Sequence, residues 1–234
     1  MSSLEDYPAG TGRAFPSKFL PPSDSVTPQG LFSGVDADKV PVPLRYVLPR
    51  DDGVGLIYTD GACLDNGRAN AKAAWGFWHG EGPNGQRLTA EDRLEKKGPY
   101  GDDGAQTSNR AELRAVIAAL GFRYWPGEGF HKLVFATDSE YVVEGATEWA
   151  RTWIRENWTR PVGPGGYDRT EVKNRDLWEA LLGQIERFKV RGMDVEFWRI
   201  PREWNTVADT AAKEAAAAPG EAPAAFRTLR GINV

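Results

Sequence analysis

Four carboxylate side chains stand where predicted secondary-structure elements begin or end. Asp60 and Asp138 each follow an apolar segment and a threonine, whereas Glu112 and Asp209 lie in the first turns of predicted helices. Carboxylates packed together repel one another unless cations offset their charge. Hard divalent ions such as Mg²⁺ prefer oxygen ligands. If the fold brings the four side chains together, this pattern is typical of a divalent-metal site that acts on phosphodiesters.

Spacing alone leaves other interpretations open. Asp60 can also be a turn aspartate that caps a hairpin. Acidic residues near helix N-termini, such as Glu112 and Asp209, also complement the helix dipole.

The order of predicted elements indicates how these residues are positioned. Three strands joined by short, glycine-rich links predict an antiparallel meander, with its third strand at a sheet edge. Apolar residues then recur at helical spacing after Thr107, and a strand follows before Asp138. Two further helices, an alternating strand and a final Ala-rich helix complete the order β-β-β-α-β-α-α-β-α. This order predicts an α/β fold with a five-stranded mixed sheet and helices on both faces.

Composition divides the chain into three parts. Residues 1–50 are rich in proline and lack a hydrophobic period, so we expect a largely disordered leader. Residues 51–218 form the predicted domain, and residues 219–234 are expected to be a second tail.

Charge and cysteine content limit the function classes. The net charge is −4 and the pI is about 5.4. A nucleic-acid-binding role therefore needs a local basic surface, or metal ions that offset an acidic site. Cys63 is the single cysteine, which excludes an intramolecular disulfide and fits a reducing compartment. No signal peptide or membrane-spanning run is visible, so we expect an intracellular protein, cytoplasmic or nuclear, that is not secreted and not bound to a membrane.

Five sequence blocks together resemble a known family. In chain order they are Thr59-Asp60-Gly61-Ala62-Cys63, Thr107-Ser108-Asn109-Arg110-Ala111-Glu112-Leu113, Ala136-Thr137-Asp138-Ser139, Lys173-Asn174-Arg175-Asp176-Leu177-Trp178 and Asn205-Thr206-Val207-Ala208-Asp209. These blocks resemble type 1 ribonuclease H, from about residue 54 to 218, and the element order matches too. The resemblance implies the three-layer ribonuclease H-like fold.

The resemblance also implies the reaction. Asp60, Glu112, Asp138 and Asp209 match the four metal-binding carboxylates of the family, and Asp60 matches the acid that bridges two Mg²⁺ ions, for which Mn²⁺ can substitute. The expected reaction is hydrolysis of the RNA strand of an RNA–DNA hybrid by a metal-activated water. The expected products carry 5′-phosphate and 3′-hydroxyl ends.

The resemblance further implies substrate contacts. Cys63, Asn66 and Asn109 match residues that touch sugar 2′-hydroxyls, the groups that distinguish RNA from DNA. Thr107 and Asn174 match residues that hold a phosphate of the DNA strand, although Thr107 is also a good helix N-cap.

An aromatic segment resembles the part of the family that grips the hybrid. Trp153 and Trp158, with nearby arginines, are candidate contacts. Packing in a core helix is the alternative for both rings, and it is the interpretation that we favour for Trp149.

The chain departs from the family pattern at several positions. Many members carry a mobile histidine between the last strand and the last helix, but this chain has only His79 and His131, which we expect to be surface or structural residues. The loop at residues 202–205 resembles the Arg-Glu-x-Asn form of plant-type relatives, which also lack that histidine. Glu203 is a candidate for proton handling, and pairing with Arg202 is the alternative.

Two further departures lie next to the expected substrate. Ser108 replaces a common asparagine, and Glu140 replaces a substrate-touching glutamine. Glu140 would repel a phosphate-rich ligand unless its side chain turns away.

Two functions therefore compete, and a third possibility is a related nuclease of the same fold that acts on another substrate. The first is an active endoribonuclease, which we expect to be a monomer. The alternative is a catalytically weak or inactive module of the same fold that binds nucleic acid or a protein partner. The complete set of carboxylates favours the first, whereas the missing histidine, Glu140 and the acidic charge favour the second.

Overall fold

The structure is a computed structural model that describes residues 7–35, 44–82 and 84–230. Its strands are β1 (Ser17–Lys18), β2 (Gly34–Val35), β3 (Tyr46–Leu48), β4 (Asp51–Leu64), β5 (Lys72–Glu81), β6 (Arg87–Arg93), β7 (Lys132–Thr137), β8 (Thr159–Val162), β9 (Asp168–Glu171) and β10 (Asp194–Arg199). Its helices are α1 (Pro28–Leu31), α2 (Ser108–Phe122), α3 (Glu140–Glu144), α4 (Ala150–Arg155), α5 (Arg175–Val190) and α6 (Thr206–Ala217). A π-helical turn, Gly145–Trp149, joins α3 to α4.

The five central strands have the predicted mixed arrangement. Strands β4, β5 and β6 form the antiparallel meander, and β4, β7 and β10 run parallel to one another. Because α2 and the α3–α5 region connect these parallel strands, the predicted crossovers are confirmed.

The sheet is larger than the five strands that we predicted. Within the described residues it has eight strands, since β1 pairs with the outer edge of β10 and the antiparallel pair of β2 and β3 joins β4. All three added strands come from residues 1–50. An extended, proline-rich segment that is unsuited to a helix can still complete an open sheet edge.

The described part of the leader is therefore not disordered, contrary to our expectation. Tyr7 and Phe32 are buried, and the backbone N–H of Gly10 donates to the carbonyl of Glu179 on α5 over 2.8 Å. The tail also packs on the domain, because the N–H of Lys96 donates to the carbonyl of Pro223 over 2.8 Å. Residues 1–6, 36–43 and 231–234 lie outside the described residues.

Alternating side chains divide the interior into two cores, one on each face of the sheet. Ile57, Phe135 and Phe197 pack against α2 and α5. Leu56, Tyr58 and Val134 face the other way and pack with α6 and with leader residues such as Phe32. This alternation follows from the two-residue period of a strand. Although α2 and α6 pack on opposite faces, the N-terminal ends of α2, α3 and α6 meet at the same edge of the sheet.

Among the described residues, no helix has both the length and the apolar character that crossing a bilayer requires.

Candidate active site

Asp60 lies inside β4, not at the end that we predicted. Pairing with β7 stops at Tyr58, whereas the antiparallel hairpin with β5 continues to Leu64. Asp60 therefore projects just beyond the parallel part of the sheet, and its side chain is only 6% exposed. Gly61 does not turn the chain. A Cβ at that position would clash with the backbone of Ala111 and Glu112, so glycine permits β4 to pass close to α2.

The other three acids come from elements that meet at the same edge. Asp138 follows β7 directly, Glu112 lies in the second turn of α2, and Asp209 lies in the first turn of α6. Burial raises the pKa of the Asp60 carboxyl to about 8, with a further contribution from the negative charges of Asp138, Asp209 and Glu112. Burial likewise raises the pKa of Glu112, with a contribution from Asp138. The fold has thus brought the four predicted acids into one electrostatically coupled group, which we call the carboxylate cluster.

Each member of the cluster has a hydrogen-bond partner in the protein. The backbone N–H of Gly61 donates to Asp60 Oδ1 over 2.7 Å. Ser139 Oγ donates to Glu112 Oε2 over 2.6 Å, and Asn205 Nδ2 donates to Asp138 Oδ1 over 2.8 Å.

Asp209 is held by two cations. Arg202 Nη2 lies 3.1 Å from its Oδ1 and Lys213 Nζ lies 2.7 Å from its Oδ2. The hydrogen bond and the charge of Asp209 raise the pKa of the Arg202 guanidinium, to which the charges of Asp138 and Asp60 also contribute. The positive charge of Arg202 therefore acts on most of the cluster. Arg202 pairs with Asp209, so the alternative pairing with Glu203 is wrong.

The side chains of the cluster have the right donor atoms for a divalent cation, but they are not arranged to bind one. In the part of the chain that the structure describes, no three His, Cys, Asp or Glu side chains stand close enough together to hold a metal ion. All four side chains are nevertheless hard oxygen donors, and their mutual repulsion is the kind that a cation relieves. To become ligands, Asp209 must leave Arg202 or Lys213, and Glu112 must share or leave Ser139.

A groove of about 960 Å³ opens beside the cluster. It is lined by four of the predicted substrate-binding residues, namely Asn66, Thr107, Asn109 and Asn174. Asn109 lies one helical turn before Glu112, so groove and cluster share the N-terminal end of α2. The groove lining contains three basic side chains and five acidic ones, so it does not supply the local basic surface that binding nucleic acid without metal ions would need.

Individual groove residues are fixed by specific contacts. Thr107 is the N-cap of α2, because its side chain accepts from the N–H of Arg110, as the capping alternative predicted. Asn174 has a left-handed backbone (φ 58°) and its Nδ2 donates to the Tyr141 hydroxyl over 3.2 Å. An ion pair between Arg110 and Asp176 joins α2 to α5 beneath the groove.

Cys63 lies at the edge of this region. It is half-buried near the end of β4, and its Sγ donates to the carbonyl of Gln106 over 3.5 Å. Burial raises the pKa of the thiol, so the side chain is a small neutral group next to the β4–β5 hairpin.

The aromatic segment is only partly available to a ligand. Trp149 is 39% exposed, so our expectation that it belongs to the core is wrong. Trp153 is partly buried and lines a second cavity of about 360 Å³ with Trp149, Tyr141 and Lys173. Trp158 is buried against Trp153 and beneath the Arg175 guanidinium. The predicted substrate contact of Trp158 is therefore wrong, because packing between α4 and α5 covers its ring.

Both histidines lie away from the loop between β10 and α6. His79 is buried at the far end of β5 beside Arg45, so it is a structural residue. His131 is exposed and pairs with Asp51.

Sequence reasoning missed three residues of the site: Ser139, Asn205 and Arg202. Ser139 and Asn205 belong to the family-like blocks, but their own residue types indicate only polar positions before helices, a signal for capping. Arg202 belongs to the Arg-Glu-x-Asn loop, and nothing in that loop indicates its pairing with Asp209.

Comparison with known proteins agrees with this architecture. Residues 53–217 match the RNase H family model. The ribonuclease H of Xanthomonas oryzae pv. oryzae is 34% identical over 134 residues, which cover 57% of this chain and 73% of that protein. The ribonuclease H of Geotalea uraniireducens is 36% identical over 135 residues, which cover 58% and 76%. The crystal structure of LC9-RNase H1, a type 1 RNase H with the type 2 active-site motif, is 26% identical, covers 76% of this chain and 74% of that chain, and has a TM-score of 0.44. The family match and the two relatives of 34% and 36% identity show that the chain belongs to the RNase H family.

Proposed function

We propose that this chain is a metal-dependent endoribonuclease that hydrolyses the RNA strand of RNA–DNA hybrids and leaves 5′-phosphate and 3′-hydroxyl ends. The observation that carries the proposal is the meeting of four acids at one edge of the sheet beside a polar groove, where hydrogen bonds of Asn205 and Ser139 link their segments. Membership of the RNase H family supports nuclease activity in general.

Asp60, Glu112, Asp138 and Asp209 would hold the divalent cations, two Mg²⁺ ions or Mn²⁺ in their place. When bound, such cations supply positive charge that polarises a phosphodiester and makes a nucleophilic water available near neutral pH. The protein's own contribution is to bury Asp60, so that it is poorly solvated, and to hold the other acids by Ser139, Asn205 and Arg202.

The groove would receive the hybrid next to the cluster. Asn66 and Asn109 present amide groups that suit sugar 2′-hydroxyls, and Cys63 would add a small side chain from β4. Thr107 and Asn174, with Lys173 nearby, would face a phosphate of the DNA strand. Trp153 would offer part of its ring from the neighbouring cavity. The groove and the cavity share Tyr141, Val172 and Lys173, which supports one continuous surface.

We further propose that the enzyme is a histidine-lacking variant with an Arg-Glu-x-Asn loop. The loop forms a single 3₁₀ turn, Arg202–Trp204, and presents a cation to the cluster in place of an imidazole. Because a guanidinium does not exchange protons at neutral pH, it would help to hold or release a phosphate but would not carry a proton. Glu203 is exposed in the same turn and remains the candidate for proton handling.

We propose that one chain is sufficient for activity, since all four acids and all the groove residues come from the same chain.

A catalytically weak or inactive binding module is the second candidate. The observation that favours it is the double ion pairing of Asp209 with Arg202 and Lys213. These two cations neutralise the carboxylate that a metal ion would need.

One assay separates the two candidates. A labelled RNA–DNA hybrid is incubated with the wild type or with Asp60→Asn, in Mg²⁺ or Mn²⁺, with double-stranded DNA and double-stranded RNA as control substrates. The proposal expects cleavage of the RNA strand of the hybrid alone, and its loss in Asp60→Asn. Hybrid binding without cleavage in either metal would establish the module instead.

A further inference from the structure

Asn205 precedes α6 and is 1% exposed, yet its side chain does not cap that helix. An asparagine at this position normally accepts a hydrogen bond from an N–H in the first turn. Here its Nδ2 points away from α6 and donates to two acceptors, the carbonyl of Thr59 over 3.1 Å and Asp138 Oδ1 over 2.8 Å. Because both partners are acceptors, the orientation of the amide is fixed, with nitrogen towards the carboxylate cluster.

This orientation is unfavourable for the helix and for the amide itself. The first turn of α6 loses a side-chain cap, and Asn205 Oδ1 is buried with no hydrogen-bond partner among the residues that the structure describes. A buried acceptor without a donor opposes folding. Where a residue departs from its best local arrangement, a functional reason is the first to consider.

The contacts of Asn205 reach three of the four carboxylates. Its Nδ2 binds Asp138 directly, and the carbonyl of Thr59 belongs to the peptide unit that precedes Asp60. Its own carbonyl accepts the backbone N–H of Asp209 over 3.0 Å. The fourth acid, Glu112, is held by Ser139, the residue after Asp138. One buried amide therefore connects β4, the end of β7 and the start of α6 at the cluster.

We propose that Asn205 is a positioning residue that orients Asp138 and sets its position relative to Asp60 and Asp209, so that the cluster can bind divalent cations. The amide occupies Asp138 Oδ1 and leaves Oδ2 free of this bond. It also adds a donor to a crowded group of acids without adding charge. This inference rests on the proposed function in that the cluster is taken to be the metal site.

Two measurements on Asn205→Ala test the proposal. Calorimetric titration of the full chain with Mn²⁺, without nucleic acid, is expected to show affinity about tenfold or more below that of the wild type, as for other groups that orient metal ligands. With hybrid and saturating metal, kcat is expected to fall by a similar factor. KM for the hybrid is expected to stay within about twofold, since Asn205 is not part of the groove lining.

Gln184→Ala is the matched control. Gln184 on α5 is also a buried amide whose oxygen has no hydrogen-bond partner in the structure, but it lies outside the cluster and the groove. Its substitution is expected to change the unfolding midpoint without changing Mn²⁺ affinity or kcat. Asn205→Ser, which keeps a shorter donor, is expected to fall between wild type and alanine, and it replaces the alanine variant if that variant does not fold.

Each outcome decides the inference. Wild-type Mn²⁺ affinity in a folded Asn205→Ala would overturn it and leave a purely structural tie between β4 and α6. A wild type that binds no Mn²⁺ would overturn it as well. If the wild type binds Mn²⁺ but cleaves no hybrid, the proposed function fails, whereas the comparison of Mn²⁺ affinities still decides the role of Asn205.

Discussion

Arg202 lies 3.1 Å from Asp209 and places a guanidinium at the one member of the carboxylate cluster that Lys213 also contacts. A divalent cation that binds Asp209 must therefore compete with two protein cations. This competition distinguishes Asp209 from Glu112 and Asp138, whose partners are neutral.

We predict that Arg202→Ala binds Mn²⁺ more tightly than the wild type in the absence of substrate, because a competing positive charge is gone. The thermal midpoint of the metal-free variant is expected to fall, since repulsion among the acids is less well offset. Calorimetry and metal-free melting measure the two effects. Lys96→Ala removes an equal charge from the exposed Lys96–Glu221 pair at the tail and should change neither quantity. Weaker Mn²⁺ binding by Arg202→Ala would contradict the prediction.

Glu140, which lies next to the proposed substrate surface, has a cationic partner on β10. Arg199 Nη2 lies 2.8 Å from Glu140 Oε2 at the exposed edge next to the cluster. We predict that Arg199→Ala raises KM for the hybrid by up to about fivefold, the effect of about 1 kcal/mol that an exposed pair can supply. The increase should shrink at high salt.

Glu140→Gln in the Arg199→Ala background supplies the decisive comparison. If the charge of Glu140 causes the increase in KM, the double variant is expected to return towards the wild type. Lys189→Ala, which breaks an exposed pair with Asp194 at the opposite end of β10, is the control. An unchanged KM in the double variant relative to Arg199→Ala would show that Arg199 contacts the hybrid itself.

His79 makes the fold sensitive to acid. Burial and the nearby positive charges of Arg45 and Arg123 lower the pKa of the imidazole to about 3. An unfolded histidine binds a proton below about pH 6.5, so the unfolded state gains protons first as the pH falls. Stability from this group is complete above pH 6.5 and is lost as the pH falls towards 3, by up to about 1.4 kcal/mol per pH unit.

Urea unfolding between pH 7 and 4 measures this dependence. We predict that His79→Gln, which keeps a polar side chain beside Arg45, has a flatter profile than the wild type although it is less stable at pH 7. His131→Gln changes the exposed histidine and should keep the wild-type slope. A slope for His79→Gln equal to that of the wild type would assign the acid sensitivity to other groups.

Local sequence patterns predict the central strands and long helices because each has its own apolar period. Residues 55–58 and 133–136 are apolar enough to define β4 and β7, and the helical spacing of leucines defines α5. The four acids are candidates from the same patterns, because each lies close to a predicted end of a strand or start of a helix. The exact position of an acid within its strand or helix is harder to predict than the presence of that element. Asp60 lies within β4 because pairing with β5 extends the strand beyond β7.

The remaining features depend on partners that are distant in the chain. Asn205 is separated by 146 residues from Thr59 and by 67 from Asp138, so the sequence predicts only that it precedes a helix. Strand β1 has two residues and no period, and it exists because β10 offers an open edge. Trp158 has the residue type of a stacking contact, but packing against α5 decides that it is buried.

Because the leader packs closely on α5, we expect Gly183→Ala to destabilise the protein, whereas helix propensity alone predicts stabilisation. Gly183 lies inside α5, where alanine normally stabilises a helix by about 1 kcal/mol. A Cβ at Gly183 would clash with the carbonyl of Pro8, so we predict that Gly183→Ala lowers the unfolding midpoint and exposes residues 7–16 to proteolysis. Gly121→Ala in α2, whose Cβ would meet no atom closer than 3.4 Å, is the control and should not destabilise. Stabilisation by Gly183→Ala would mean that the leader does not pack on α5 in solution.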